Sequence, residues 1–100
     1  MFIAMNRFRI SAGREAEIVQ VWRQRDSRLR EVPGFVDFKL LHGPGDAQTT
    51  LLVSHSTWSD RAAFEAWTRS DAFRAVHTSA GQLHGLYLGP PQFEGFDVAL

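Results

Sequence analysis

One hundred residues, 44% hydrophobic and 22% charged, have the size and make-up of one globular domain over 1–100, which excludes disordered, collagen-like and coiled-coil chains. Eleven basic residues balance eleven acidic ones, so no broad electrostatic footprint points to nucleic acid. There is no cysteine, hence no disulfide framework, Fe–S cluster or thiol catalysis, and no apolar run approaches the roughly 20 residues of a membrane-spanning helix.

The N-terminal MFIAMNRFRI lacks the apolar core and cleavage pattern of a signal peptide, so a cytoplasmic location is expected. Residues 2–10 alternate and read as a strand. One face carries Phe2, Ala4, Asn6, Phe8 and Ile10; the other carries Ile3, Met5, Arg7 and Arg9. Gly13 marks a turn into a predicted helix over 14–31, with Glu15 and Glu17 near its positive end and an apolar stripe of Ile18, Val21, Trp22 and Leu29. Residues 1–30 hold seven arginines against Glu15, Glu17 and Asp26, a net +4, mostly on this helix. Val32-Pro33-Gly34 stops it. A second strand follows at 35–42, with Val36, Phe38 and Leu40 on one face. Gly43-Pro44-Gly45-Asp46 is a turn cluster, and 48–56 is a third strand, completing an antiparallel hairpin. Asp60 is a good N-cap for a helix at 61–68, and Ser70 for another at 71–80. Residues 81–91, with three glycines and two prolines, read as a loop, and 92–99 alternate again as a last strand.

The order strand–helix–strand–strand–helix–strand is the α+β, ferredoxin-like βαββαβ pattern, an antiparallel sheet with helices on one face. The other sheet face is also partly apolar. A second copy packed sheet to sheet is the simplest cover, so a homodimer is expected.

Four residues place polar groups or broad rings among apolar neighbours. Asn6 lies on the strand face that should meet the helices. Its amide is either satisfied by nearby backbone or is a donor aimed into a cleft. Arg25 follows Trp22 by three residues and Val21 by four, beside the apolar stripe. It either snorkels past the core or clamps a carboxylate at a pocket mouth. His77 follows Phe73 by four residues, on one helix face. It is either a core histidine or a ligand for one open metal position. No histidine pair has zinc-site spacing, but one suffices where a macrocycle already holds the metal. Trp67, three residues after Phe64, is either core packing or a flat wall for a planar ligand. Walker loops, GxGxxG and a sensible Ser-His-Asp order are absent from the sequence.

Asn6 in the first strand, with Phe64-Glu65-Ala66-Trp67 and, after nine intervening residues, His77, resembles the IsdG-type haem-degrading monooxygenases. These belong to the antibiotic-biosynthesis-monooxygenase superfamily of dimeric α+β barrels. Val32-Pro33-Gly34-Phe35, Trp58-Ser59-Asp60 and Ser70-Asp71-Ala72-Phe73 resemble it as well, as markers of the fold. The resemblance implies haem as both cofactor and substrate, with His77 as axial iron ligand. It implies Asn6 donating toward the haem centre, and Trp67 crowding one face and ruffling the ring. Arg25 and Trp22 match pocket-lining positions, Arg25 near the propionates, and Phe64 adds to the wall. O2 and an external electron donor, either a separate reductase or a small reductant, would complete the ring-opening reaction and release iron. Two features depart from the family: Trp22 stands where a phenylalanine is usual, and the short 78–91 segment contains His84. The alternatives are a cofactor-independent monooxygenase acting on an aromatic polyketide, a haem-binding protein that does not degrade its ligand, and a non-catalytic dimeric module.

Overall fold

A computed structural model describes residues 1–24, 28–78 and 86–100, with side chains for all of these but 75–78. The elements are β1 (Phe2–Ser11), α1 (Glu15–Gln24), a 3-10 turn (Leu29–Glu31), β2 (Phe35–Gly45), β3 (Thr49–Trp58), α2 (Arg61–Thr68), α3 (Asp71–Thr78) and β4 (Gln92–Asp97). The strands form one antiparallel sheet in the order β2-β3-β1-β4, with the helices on one face. This is the expected ferredoxin-like α+β arrangement.

Three local expectations are corrected. The helix expected over 14–31 is not continuous: Arg28 has φ 51°, in the left-handed region, and Leu29–Glu31 is a 3-10 turn. A residue at positive φ cannot continue a right-handed α-helix. The hairpin turn lies further along than Gly43-Pro44-Gly45, because β2 runs to Gly45. Asp46 closes it, accepting the backbone N–H of Gln48 and of Thr49 at 2.8 Å each. Val36 is the extra residue of a bulge between Phe35 and Asp37 and is 46% exposed, so it leaves the face of Phe38 and Leu40.

The turn has a pH signature. The N–H groups of Thr49 and then Gln48 hold the Asp46 carboxyl below the usual carboxylate range. A depressed folded-state pKa contributes stability above the unfolded value, lost as pH falls through the folded one. The melting temperature of Asp46→Ala should therefore lie below wild type at neutral pH. The gap should narrow on acidification, and a pH-independent gap would contradict this origin.

Both helix caps are as expected. Asp60 accepts from Ala63 N at 2.8 Å, and Ser70 Oγ accepts from Phe73 N at 3.1 Å. Gly34, at φ 84°, brings the chain against α2; any Cβ there would overlap Ala63 Cβ. Among the described residues no helix is long and apolar enough to cross a membrane.

The core has two parts on the helix side of the sheet. Phe8, Ile10 and Leu52 gather under Ile18 of α1, flanked by Val21, Trp22, Leu86 and Tyr87. Phe2, Ala4 and Trp58 gather beneath α2, flanked by Phe64, Trp67 and others.

Candidate functional site

The two core clusters are separate, with half-buried Asn6 in the gap between them, and the register identifies the floor of that gap. Directly paired residues of an antiparallel sheet point to the same face. Phe38, Ser56, Ala4 and Gly95 form one row across the helix side, and Leu40, Ser54, Asn6 and Phe93 form the next. His42, Leu52 and Phe8 form the third. Along β1, Ala4 belongs to the α2 cluster and Phe8 to the α1 cluster, with Asn6 between them.

Asn6 is half-buried, and its side chain makes no hydrogen bond among the described residues. The cross-strand neighbour, Ser54, is 8% exposed and likewise has no side-chain hydrogen bond among them. Among the described residues no nearby backbone satisfies Asn6. Its amide offers two N–H donors and one acceptor to whatever occupies the gap.

Aromatic rings wall the gap on both sides. From α2, Phe64 stacks on Phe93 at 5.7 Å and 8°. Trp67 meets Trp58 at 5.5 Å and takes Phe73 of α3 edge-on at 4.8 Å. The Trp67 Nε1 is buried and has no hydrogen-bond partner among the described residues; a buried donor left without an acceptor costs about 1–3 kcal/mol. From α1, Trp22 stacks on Phe38 at 5.9 Å and meets Phe8 edge-on at 5.9 Å. Trp22 Nε1 donates to Tyr87 Oη at 3.2 Å.

The structure thus brings Asn6, Trp22, Phe64 and Trp67 to the margins of one gap. Residue 77 falls on α3, one turn beyond Phe73, but the His77 side chain lies outside the described set. Arg25 and His84 also lie outside the described residues. Among the described residues no three His, Asp or Glu side chains cluster to hold a metal ion. The walls suit a flat apolar ligand with polar atoms at its centre: rings for its faces, Asn6 for its middle. A porphyrin meets that description. Sequence reasoning missed Ser54, Phe38, Phe93 and Tyr87. Serines at 54 and 56, on the inner face of a strand, were the available signal for the first. Tyr87 sits in a segment read as loop, where only an aromatic among glycines and prolines hinted at packing.

The model of the antibiotic biosynthesis monooxygenase family matches residues 1–79. The chain belongs to this family. Among its relatives is a "Heme-degrading monooxygenase" of Shouchella clausii, 26% identical over 98 residues, covering 98% of this chain and 90% of that one. The heme-degrader MhuD of Mycobacterium tuberculosis, solved with two hemes in its active site, superposes with a TM-score of 0.72 at 25% identity, over 100% of this chain and 97% of that one. A Streptomyces coelicolor monooxygenase, from the gene ActVA-Orf6 and in complex with Nanaomycin D, gives a TM-score of 0.77 at 20% identity, over 99% and 88%. Proteins of this fold therefore include a heme degrader and a monooxygenase solved with Nanaomycin D. The fold alone does not separate the two.

Proposed function

We propose that this antibiotic-biosynthesis-type monooxygenase degrades haem. The observation that carries the reading is Asn6, an amide with no hydrogen bond among the described residues, on the floor of a gap walled by aromatic rings. The names of its relatives support the same reading.

Haem is the substrate and, when bound, supplies the iron at which O2 is reduced by electrons from an external donor. The chain's own residues do the rest. His77, on α3, would hold the iron. Asn6 donates its N–H toward the haem centre and so orients the reacting side. Trp67 and Phe64 would press on the macrocycle from α2. Trp22 bounds the opposite side, and Arg25 offsets the propionates. The apolar walls exclude bulk water, which strengthens each polar contact inside.

The functional unit is a homodimer. On the outer sheet face Ile3, Met5 and Leu51 are partly buried, while Leu41 and Phe96 remain 38% and 43% exposed. His55 Nδ1, on the same face, is buried with no partner among the described residues. A second copy supplies both the missing apolar cover and the chance of an acceptor or donor for that nitrogen.

The deciding test is haem titration followed by ascorbate, read by absorbance with catalase present to remove free peroxide. The expected result is a saturable Soret shift, then Soret loss and a new bilin-like band. Asn6→Ala should bind haem but degrade it roughly tenfold more slowly, the rate equivalent of one hydrogen bond of about 1.4 kcal/mol. A shift without loss indicates a haem carrier. No shift removes the haem reading and turns attention to a cofactor-independent oxygenation of an aromatic polyketide.

A further inference from the structure

The helix-side face of β3 carries three hydroxyls, at Thr50, Ser54 and Ser56. Two of them are in use. Thr50 Oγ1 lies 3.3 Å from His42 Nε2. Ser56 Oγ accepts from Trp58 Nε1 at 3.0 Å and donates to Ala4 O at 3.4 Å. Ser54, between them, is 8% exposed and has no side-chain hydrogen bond among the described residues. A hydroxyl buried without a partner costs stability that an alanine in its place would not. Packing alone therefore does not call for a serine at this position.

Its cross-strand neighbour is Asn6, half-buried and likewise without a hydrogen bond among the described residues. The rest of that row is apolar, Leu40 on β2 and Phe93 on β4. The two polar side chains of the row thus stand side by side on the two central strands, where the core clusters part. Directly opposed residues of antiparallel strands hold their Cβ atoms about 4.5–5.5 Å apart, a span that a serine hydroxyl and an asparagine amide close by rotating about their own side-chain bonds. An amide has a carbonyl at one end and two N–H donors at the other, and what one end bonds decides where the other points. With Ser54 donating its O–H to Asn6 Oδ1, both N–H donors of Asn6 turn toward the gap. A ligand that fills the gap strips water from both side chains, and this pairing then satisfies the hydroxyl and the carbonyl together.

We infer that Ser54 is a positioning residue that acts through Asn6, holding its amide with the N–H groups toward the ligand. This rests on the haem reading, in which Asn6 donates toward the haem centre.

The test measures haem binding and ascorbate-driven degradation by Ser54→Ala, Asn6→Ala and the double variant, with circular dichroism confirming structure. Ser54→Ala should still bind haem but degrade it roughly three- to tenfold more slowly, the rate equivalent of one neutral hydrogen bond. The double variant should be no slower than Asn6→Ala, because Ser54 then has nothing left to position. Ser54→Thr and Ser54→Val, nearly equal in shape and differing by the hydroxyl, guard against a loss that comes from packing, and Ser54→Thr should be several-fold the faster. A readout without turnover is the Asn6 side-chain amide resonance in the complex with gallium protoporphyrin IX, a diamagnetic, redox-inert analogue. It should shift on binding in wild type and Ser54→Thr, and by much less in Ser54→Ala and Ser54→Val. A wild-type rate in Ser54→Ala, losses that multiply in the double variant, or equal rates in Ser54→Thr and Ser54→Val would overturn the inference while leaving haem binding intact. No saturable binding by wild type would overturn the haem reading and this inference together.

Discussion

Replacing His77 by alanine should abolish the axial-ligand spectrum of bound haem and reduce ascorbate-driven turnover to the level of free haem. Phe73, one turn earlier on α3, meets Trp67 edge-on at 4.8 Å, so position 77 belongs to the helix that abuts the α2 wall. Iron already held by four pyrrole nitrogens needs only one ligand from the protein. Loss of groups that merely orient a metal ligand costs roughly 10–100-fold in affinity or activity, so losing the ligand itself should exceed that range. The chain should stay folded, since the substitution falls near the end of a short helix and leaves Phe73 and Trp67 in place. Added imidazole should restore the ligand field and part of the turnover in the variant, an effect that a purely structural histidine would not show. Wild-type turnover by His77→Ala would remove the residue from the site.

Trp58→Ala should be the most destabilising single change in the chain, by about 3–5 kcal/mol. Trp58 has 0% exposure. Its ring meets Phe35 at 5.7 Å, Phe64 at 5.7 Å and Trp67 at 5.5 Å, and its Nε1 donates to Ser56 Oγ at 3.0 Å. Truncation opens a cavity under α2 and removes the donor that Ser56 accepts from. A chain of this size is stable by only about 5–15 kcal/mol. At about 4–8 °C per kcal/mol, the melting temperature should fall by more than ten degrees, measurable by circular dichroism. Because Trp67 and Phe64 rest on Trp58, haem affinity should fall as well. Trp58→Phe should recover most of the stability. A change below about 1 kcal/mol in Trp58→Ala would mean that this cluster is not the core of its half of the fold.

The sequence by itself determined the element order, because each element carried a local signal. Alternation wrote β1 and β4, Asp60 and Ser70 wrote the starts of α2 and α3, and the sheet with its helices followed from that order. It also singled out Asn6, Trp22 and Trp67, since a polar group or broad ring on an apolar face is visible in spacing alone. It could not say whether Asn6 was satisfied. That depended on which residue β3 set opposite it, and the register put Ser54 there rather than an acceptor already in use. The break at Arg28 and the bulge at Val36 were hidden for the same reason: helical and alternating periods continue through a local kink that only packing imposes. Above all, the sequence placed Tyr87 in a loop. Its position beside Ile10, its stacking on Phe8 and its hydrogen bond to Trp22, sixty-five residues away in the chain, exist because β1 lies at the centre of the sheet and offers the 86–88 segment an edge beyond β4. Local sequence encodes what each segment prefers to be, while contacts between distant segments, which decide the shape and depth of the site, are settled only when the sheet closes its register.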